Sequence, residues 1–251
     1  MHEVGRHDLS ASMERCGTEE VLITCLGCWK RKTVRNECGT RWCPYCAAQR
    51  SRRRAEEMLA WVRTLEQPKH LVLTSRNQAV LTKHAISVTL RGVAAIRRRK
   101  LARGWKSGCW TMELTNEGRG WHLHFHLLIE TRWIPIELVS VIWASYVGQE
   151  DAAIVKVKDA RHTDYLREVA KYVVKSSELS SWSGLDIAQV MDAFRGRRSF
   201  GVFGEAAGRR AEWKRAVAEA RRERGKCECG CNTWQVEPLA HGLTRDELRR
   251  L

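Results

Sequence analysis

Three histidines, His122, His124 and His126, stand one apolar residue apart in Gly120-Trp-His-Leu-His-Phe-His-Leu-Leu-Ile-Glu130. Successive side chains of a β-strand point to opposite faces, so this spacing puts all three imidazoles on one face. Leu123, Phe125 and Leu127 take the other face and can meet a core. Neutral imidazoles side by side are natural ligands for a divalent cation. The plain alternative is a strand with hydrogen-bonded or solvent-facing histidines. Upstream, Cys109-Trp-Thr-Met-Glu-Leu-Thr115 also alternates, and Asn116-Glu-Gly-Arg-Gly120 carries turn chemistry, so the two strands read as a hairpin. Folding about Gly118 brings Glu113 roughly opposite the histidines. Glu113 is thus a candidate third ligand, with an ordinary surface carboxylate as the alternative, because a one-residue slip reverses its face.

The chain carries ten cysteines. Cys25-Leu-Gly-Cys28 and Cys43-Pro-Tyr-Cys46 are two Cys-x-x-Cys pairs with fourteen residues between them. Each pair offers two thiolates, and Cys25, Cys28, Cys43 and Cys46 would complete a closed, structural zinc tetrahedron. Cys16 and Cys38 are left over, as spare thiols or, with a ligand such as His7, part of another site. Cys227, Cys229 and Cys231 crowd into five residues and could bind a second zinc with His241, or stay as exposed thiols. No secretory signal is visible, so a cytoplasmic, reducing setting is expected, where paired spacing means metal before disulfide.

A third group lies in Asp164-Tyr-Leu-Arg-Glu-Val-Ala-Lys-Tyr-Val-Val-Lys175. Asp164 is a candidate N-cap of a helix. Tyr165, Glu168, Tyr172 and Lys175 are spaced by three, four and three and fall in one stripe. Leu166, Val169, Ala170 and Val173 form the apolar side. Phenols, a carboxylate and an ammonium together suit phosphoryl chemistry. Tyrosine can serve as a covalent nucleophile, a carboxylate as general base, and Lys175 or Lys171 can offset charge developing on phosphate. An ordinary surface stripe is the alternative.

Lysine and arginine total 44 against 29 acids, a formal charge of +15, which points to an anionic polymer and first to nucleic acid. Arg52, Arg53 and Arg54, and Arg97, Arg98 and Arg99 before Lys100, concentrate the charge as candidate DNA contacts, with solvated helix faces as the alternative. Some of the eleven tryptophans could stack on unpaired bases, while most suit a core. No run of eighteen apolar residues exists, so no membrane span is expected.

These groups need elements to hold them. Residues 1–15 read as loosely ordered. Helices are expected over 47–65, 83–103, 135–147, 164–175, 187–194 and about 205–224. Strands are expected over 69–75, 109–115, the histidine stretch and 152–158, and 195–204 reads as a basic loop or strand.

The Gly-Trp-His-Leu-His-Phe-His-Leu-Leu stretch resembles the His-hydrophobic-His (HUH) motif of rolling-circle replication initiators of plasmids and phages. Leu71-Val-Leu-Thr-Ser75 resembles their first motif strand, and Glu168-Val-Ala-Lys-Tyr172-Val-Val-Lys175 their tyrosine motif. The Cys-x-x-Cys pairs followed by Arg50–Arg54 resemble their N-terminal metal module. Order and spacing agree over about residues 16–204. The resemblance implies an α+β fold: a central antiparallel HUH/RRM-like palm with flanking helices, preceded by a small zinc-binding module. It implies nicking of a single-stranded or hairpin DNA origin, with Tyr172 as nucleophile and magnesium or manganese on His124 and His126. The 5′ phosphate stays on the tyrosine, and the free 3′ hydroxyl serves a host polymerase, with a host helicase as a further partner. Glu168 holds the position of a glutamate that activates water in one branch of the family. His122 is additional to the pattern, as third ligand or substrate contact, and Tyr165 competes for the nucleophile's role.

The expected organisation is a zinc module with basic helix over 1–66, an HUH endonuclease domain over 67–204 and a basic, cysteine-rich C-terminal part over 205–251. An HUH transposase or mobilisation relaxase would use the same chemistry on other DNA. A zinc-dependent DNA-binding regulator without catalysis would account for the cysteines and charge, but not for the histidines or the Glu-x-x-Lys-Tyr helix.

Overall fold

The computed structural model describes residues 7–18, 20–150, 153–161, 179 and 181–236. It is an α+β fold with two antiparallel sheets. The larger has five strands in the order β6(Val155–Asp159), β3(Pro68–Thr74), β5(Trp121–Glu130), β4(Ser107–Asn116) and β7(Phe200–Gly204). The histidine strand β5 is central, as the palm reading requires. The smaller sheet runs β2(Arg31–Arg35), β1(Glu20–Cys25), β8(Trp234–Val236). The C-terminal segment therefore supplies the third strand of the N-terminal sheet, pairing Cys25 with Trp234.

The β4–β5 hairpin forms where its turn residues predict. Asn116 Oδ1 accepts from the Gly118 amide at 3.2 Å, a local turn that competes with strand continuation. Gly120 has φ of 87°, and a Cβ there would meet the Gln78 carbonyl oxygen at 2.6 Å, so the position needs glycine.

The two faces of the large sheet differ. On one, Leu71, Leu73, Leu123, Phe125, Leu127 and Ile129 are fully buried. Helices α3(Lys83–Arg98), α4(Ile136–Val147) and α5(Gly184–Ala193) contribute Ile86, Val93, Val139, Trp143 and Val190 to this core. Local signals start and stop these helices. Thr82 caps α3 by accepting from the Ala85 amide, Ser183 and Asp186 form a capping box at α5, and Gly148 ends α4 in a left-handed conformation.

On the other face, among the described residues, helices α2(Pro44–Val62) and α6(Glu205–Gly225) cover the part of the sheet around Cys109, Leu128 and Phe200. Met58, Trp61, Val62 and Trp213 pack there with Cys109, Leu128 and Phe200. The histidines occupy the rest of that face.

Several boundaries move. Residues expected to be loosely ordered form α1(His7–Glu14). The helix expected to Arg103 ends at Arg98, because Arg99 turns to extended backbone, and a short 3-10 turn Lys100–Ala102 follows. Among the described residues, no helix is long and apolar enough to cross a membrane. The helix expected over 164–175, with Tyr165, Glu168, Lys171, Tyr172 and Lys175, lies outside the described residues, as does His241.

Candidate metal and nucleic-acid site

Register places the candidate ligands. Glu113 lies opposite His124 in the β4–β5 ladder, Thr111 opposite His126 and Thr115 opposite His122. Directly paired residues share a face, so Glu113 joins the three imidazoles. On the other side of β5, Thr74 faces His124 and Val72 faces His126, while His70 precedes them by the same period of two.

His126 is the buried centre of the group. Its Nε2 donates to Glu113 Oε2 at 2.8 Å, and Nδ1 lies 3.1 Å from His70 Nε2. The two rings stack with centroids 5.3 Å apart and planes 19° apart. Burial, then electrostatic repulsion from His126 and Lys158, pushes the His70 pKa down to about 3, so His70 is neutral at pH 7. Thr74 Oγ1 contacts His124 Nδ1 at 3.3 Å. His122 lies against His124 with ring centroids 4.1 Å apart and planes tilted by 55°.

Among the described residues, only two groups of cysteines bring three or more ligand atoms within 4.8 Å of one another, and the histidine group is wider, with the His124 and His126 ring centroids 6.3 Å apart. Two imidazoles and a carboxylate are a mixed nitrogen and oxygen set, and the Nε2 proton between His126 and Glu113 sits where an ion could take both atoms as ligands. His70 and Thr74 each hold the second nitrogen of a candidate ligand, the usual way a protein fixes imidazole orientation. Sequence reasoning missed both. The signal was the alternation of His70, Val72 and Thr74 in a strand read only as β-rich.

The cysteines group differently from expectation. Cys25, Cys28, Cys43 and Cys46 do not come together. Cys16, Cys38, Cys43 and Cys46 form one cluster, and Cys25, Cys28, Cys227 and Cys229 another, each with all sulfurs within 4.8 Å of one another. Sulfur separations include 3.4 Å for Cys16–Cys46 and Cys28–Cys227, and 3.7 Å for Cys25–Cys229. A zinc–sulfur bond of about 2.3 Å puts tetrahedral sulfurs about 3.8 Å apart, so both clusters suit zinc. The division arises because β8 returns to β1 and carries Cys227 and Cys229 to the first pair. The Cys229 amide helps hold the Cys227 thiol down to about 7, toward the thiolate a metal takes. Cys231, expected as a ligand of a C-terminal site, stays outside and accepts from the Thr233 amide. Cys109 is buried against the sheet, and burial pushes its thiol up to about 12.

The basic runs also divide. Arg52 and Arg53 are exposed, and Arg53 meets Glu37 at 3.6 Å. Arg54 turns inward over the Phe200 ring at 5.4 Å. Arg98 and Arg99 are exposed, whereas Arg97 lies over Phe203 at 4.1 Å on the opposite side of the sheet. On the histidine face, Lys156 and Lys158 border β3, opposite Val72 and His70.

Residues 3–75 match the family described as a transposase zinc-binding domain, of the IS91 type. Searches of curated proteins and of solved structures return no match. The matched domain and the two cysteine clusters together support structural zinc.

Proposed function

We propose that this chain is an HUH-type nickase that cleaves one DNA strand by tyrosine transesterification. The observation that carries the reading is the assembly of His124, His126 and Glu113 on one sheet face, with His70 and Thr74 holding the imidazoles. A magnesium or manganese ion held by His124, His126 and Glu113, with His122 beside them, would polarise a phosphodiester and orient it. The Tyr172 hydroxyl attacks phosphorus, the new bond is tyrosine oxygen to phosphorus, and the 3′ oxygen leaves and takes up a proton. The product pair is a 5′-phosphotyrosine and a free 3′ hydroxyl that a host polymerase can extend. Lys171 and Lys175 offset charge on the phosphate, and Glu168 serves as base for the later hydrolysis.

The transposase zinc-binding match favours the rolling-circle transposase form of this chemistry over a plasmid or phage replication initiator. The initiator remains the second reading, carried by the three motifs in order. Both require DNA as partner, which the charge of +15 also favours.

The test is incubation with single-stranded oligonucleotides and Mn²⁺, followed by a denaturing gel. A covalent protein–DNA adduct is expected from the wild type and none from Tyr172→Phe. Full adduct from Tyr172→Phe with none from Tyr165→Phe would move the nucleophile to Tyr165. A shifted native band without any adduct would leave a DNA-binding regulator. Transposon-end and replication-origin oligonucleotides, offered in parallel, separate the two nickase readings.

A further inference from the structure

Four arginines gather around β7, near enough to feel one another's charge: Arg54 and Arg210 on the histidine face, with Arg41 and Arg50 beside them, Arg41 reaching toward the core on the other face. Arg54 on α2 and Arg210 on α6 both lie over the Phe200 ring, at 5.4 and 5.2 Å. Arg41 stacks on Trp42 and Phe194, at 4.6 and 5.3 Å, and gives Nη1 to the Arg197 carbonyl at 3.0 Å. Its Nη2 is buried and makes no hydrogen bond among the described residues. Arg50 is fixed by the carbonyls of Gly39 and Thr40. Among the described residues, none of the four makes an ion pair with a carboxylate. Glu57 acts on Arg54 only through its field.

Like charges held together without partners cost stability, and a chain with 29 acids had the means to neutralise them. Burial, followed by Arg54 and Arg50, draws Arg41 down to about 10. Burial, followed by Arg50 and Arg210, lowers Arg54 as well. The four are half-buried, their planar groups stacked or tied to carbonyls. That is the preorganisation a guanidinium needs to receive an oxyanion.

Location says which anion. Phe200 pairs with Thr111, and Thr111 pairs with His126. Two strand spacings, about 10 Å, therefore separate Phe200 from the histidine centre. Lys156 and Lys158 stand on the opposite edge of the same face.

We infer that Arg54 and Arg210, backed by Arg41 and Arg50, bind a backbone phosphate of the DNA strand beside the one to be cut. This rests on the nickase reading, and it goes further by stating which side of the histidines the strand occupies. Neither Arg41 nor Arg210 stands in the arginine runs, so sequence alone does not single them out.

The experiment is fluorescence anisotropy with a labelled oligodeoxythymidylate over a salt series, on the full chain. Arg54→Gln and Arg210→Gln should each reduce the log–log salt slope by about 0.7, the share of one single-strand phosphate contact. At low salt, each should weaken binding by roughly tenfold, with wild-type circular dichroism. Arg54→Lys keeps the charge and should restore most of the slope; it also serves should Arg54→Gln fail to fold. Oligonucleotides with single neutral methylphosphonates locate the contact: one position next to the scissile bond should weaken wild-type binding and leave both glutamine variants indifferent. Folded variants with wild-type slope and affinity would overturn the arginine site while leaving the nickase intact. No binding of single strands by the wild type would overturn both.

Discussion

His126 Nε2 and Glu113 Oε2 lie 2.8 Å apart, and both side chains are more than nine-tenths buried. Their strands are joined by one turn, so the pair is set by hairpin register. A one-residue slip would send Glu113 to the opposite face.

Glu113→Gln keeps the shape and removes the charge. Mn²⁺ affinity, read by calorimetry, should fall by about 10–100-fold, with zinc content and melting temperature near wild type. Unchanged affinity would remove Glu113 from the cation's surroundings.

Metal analysis should find two zinc ions per chain, one for each cysteine cluster. The double variant Cys227→Ser, Cys229→Ser should retain one. Because Leu26 and Cys25 bond to the β8 strand and its approach, loss of that ion should open the C-terminal segment to protease while the large sheet stays protected. A single zinc in the wild type would contradict the two-cluster arrangement.

Phe125 is fully buried between Trp110 and Trp143, with ring centroids at 5.9 and 5.8 Å. Phe125→Ala should cost about 3–5 kcal/mol in denaturant unfolding. A loss below about 1 kcal/mol would mean that the face behind the histidines is not a packed core.

Asp159 ties β6 to β3 and the following turn. Arg161, then Lys69, hold its carboxyl well below the ordinary 3.8. A depressed carboxylate stabilises the fold above its unfolded pKa, and that contribution fades as pH falls through the folded value. Asp159→Asn should thus melt lower than wild type at pH 7, with the gap closing below about pH 4. A gap that grows in acid would reverse the sign.

The histidine strand and its hairpin were legible because period two and turn residues are local signals, and Glu113 followed from them. The ligand groups were not. Cys25 and Cys28 look for partners in the next Cys-x-x-Cys pair, but a strand 200 residues later brings Cys227 and Cys229 instead. Nothing in local spacing encodes that pairing. His70 and Thr74 escaped notice for a similar reason: their role exists only once β3 lies beside β5. Arg54, read as one of a surface run, is turned inward by the same helix face that buries Met58.

The late arrival of Cys227 and Cys229 also orders the birth of the molecule. The cluster of Cys16, Cys38, Cys43 and Cys46 can close soon after its last residue is made. Cys28 must wait a further 199 residues for its partner. At translation speeds of about 5–20 residues per second, that is roughly 10–40 seconds. During that interval Cys25 and Cys28 form an incomplete claw, and the nascent chain carries one metal before it can carry two.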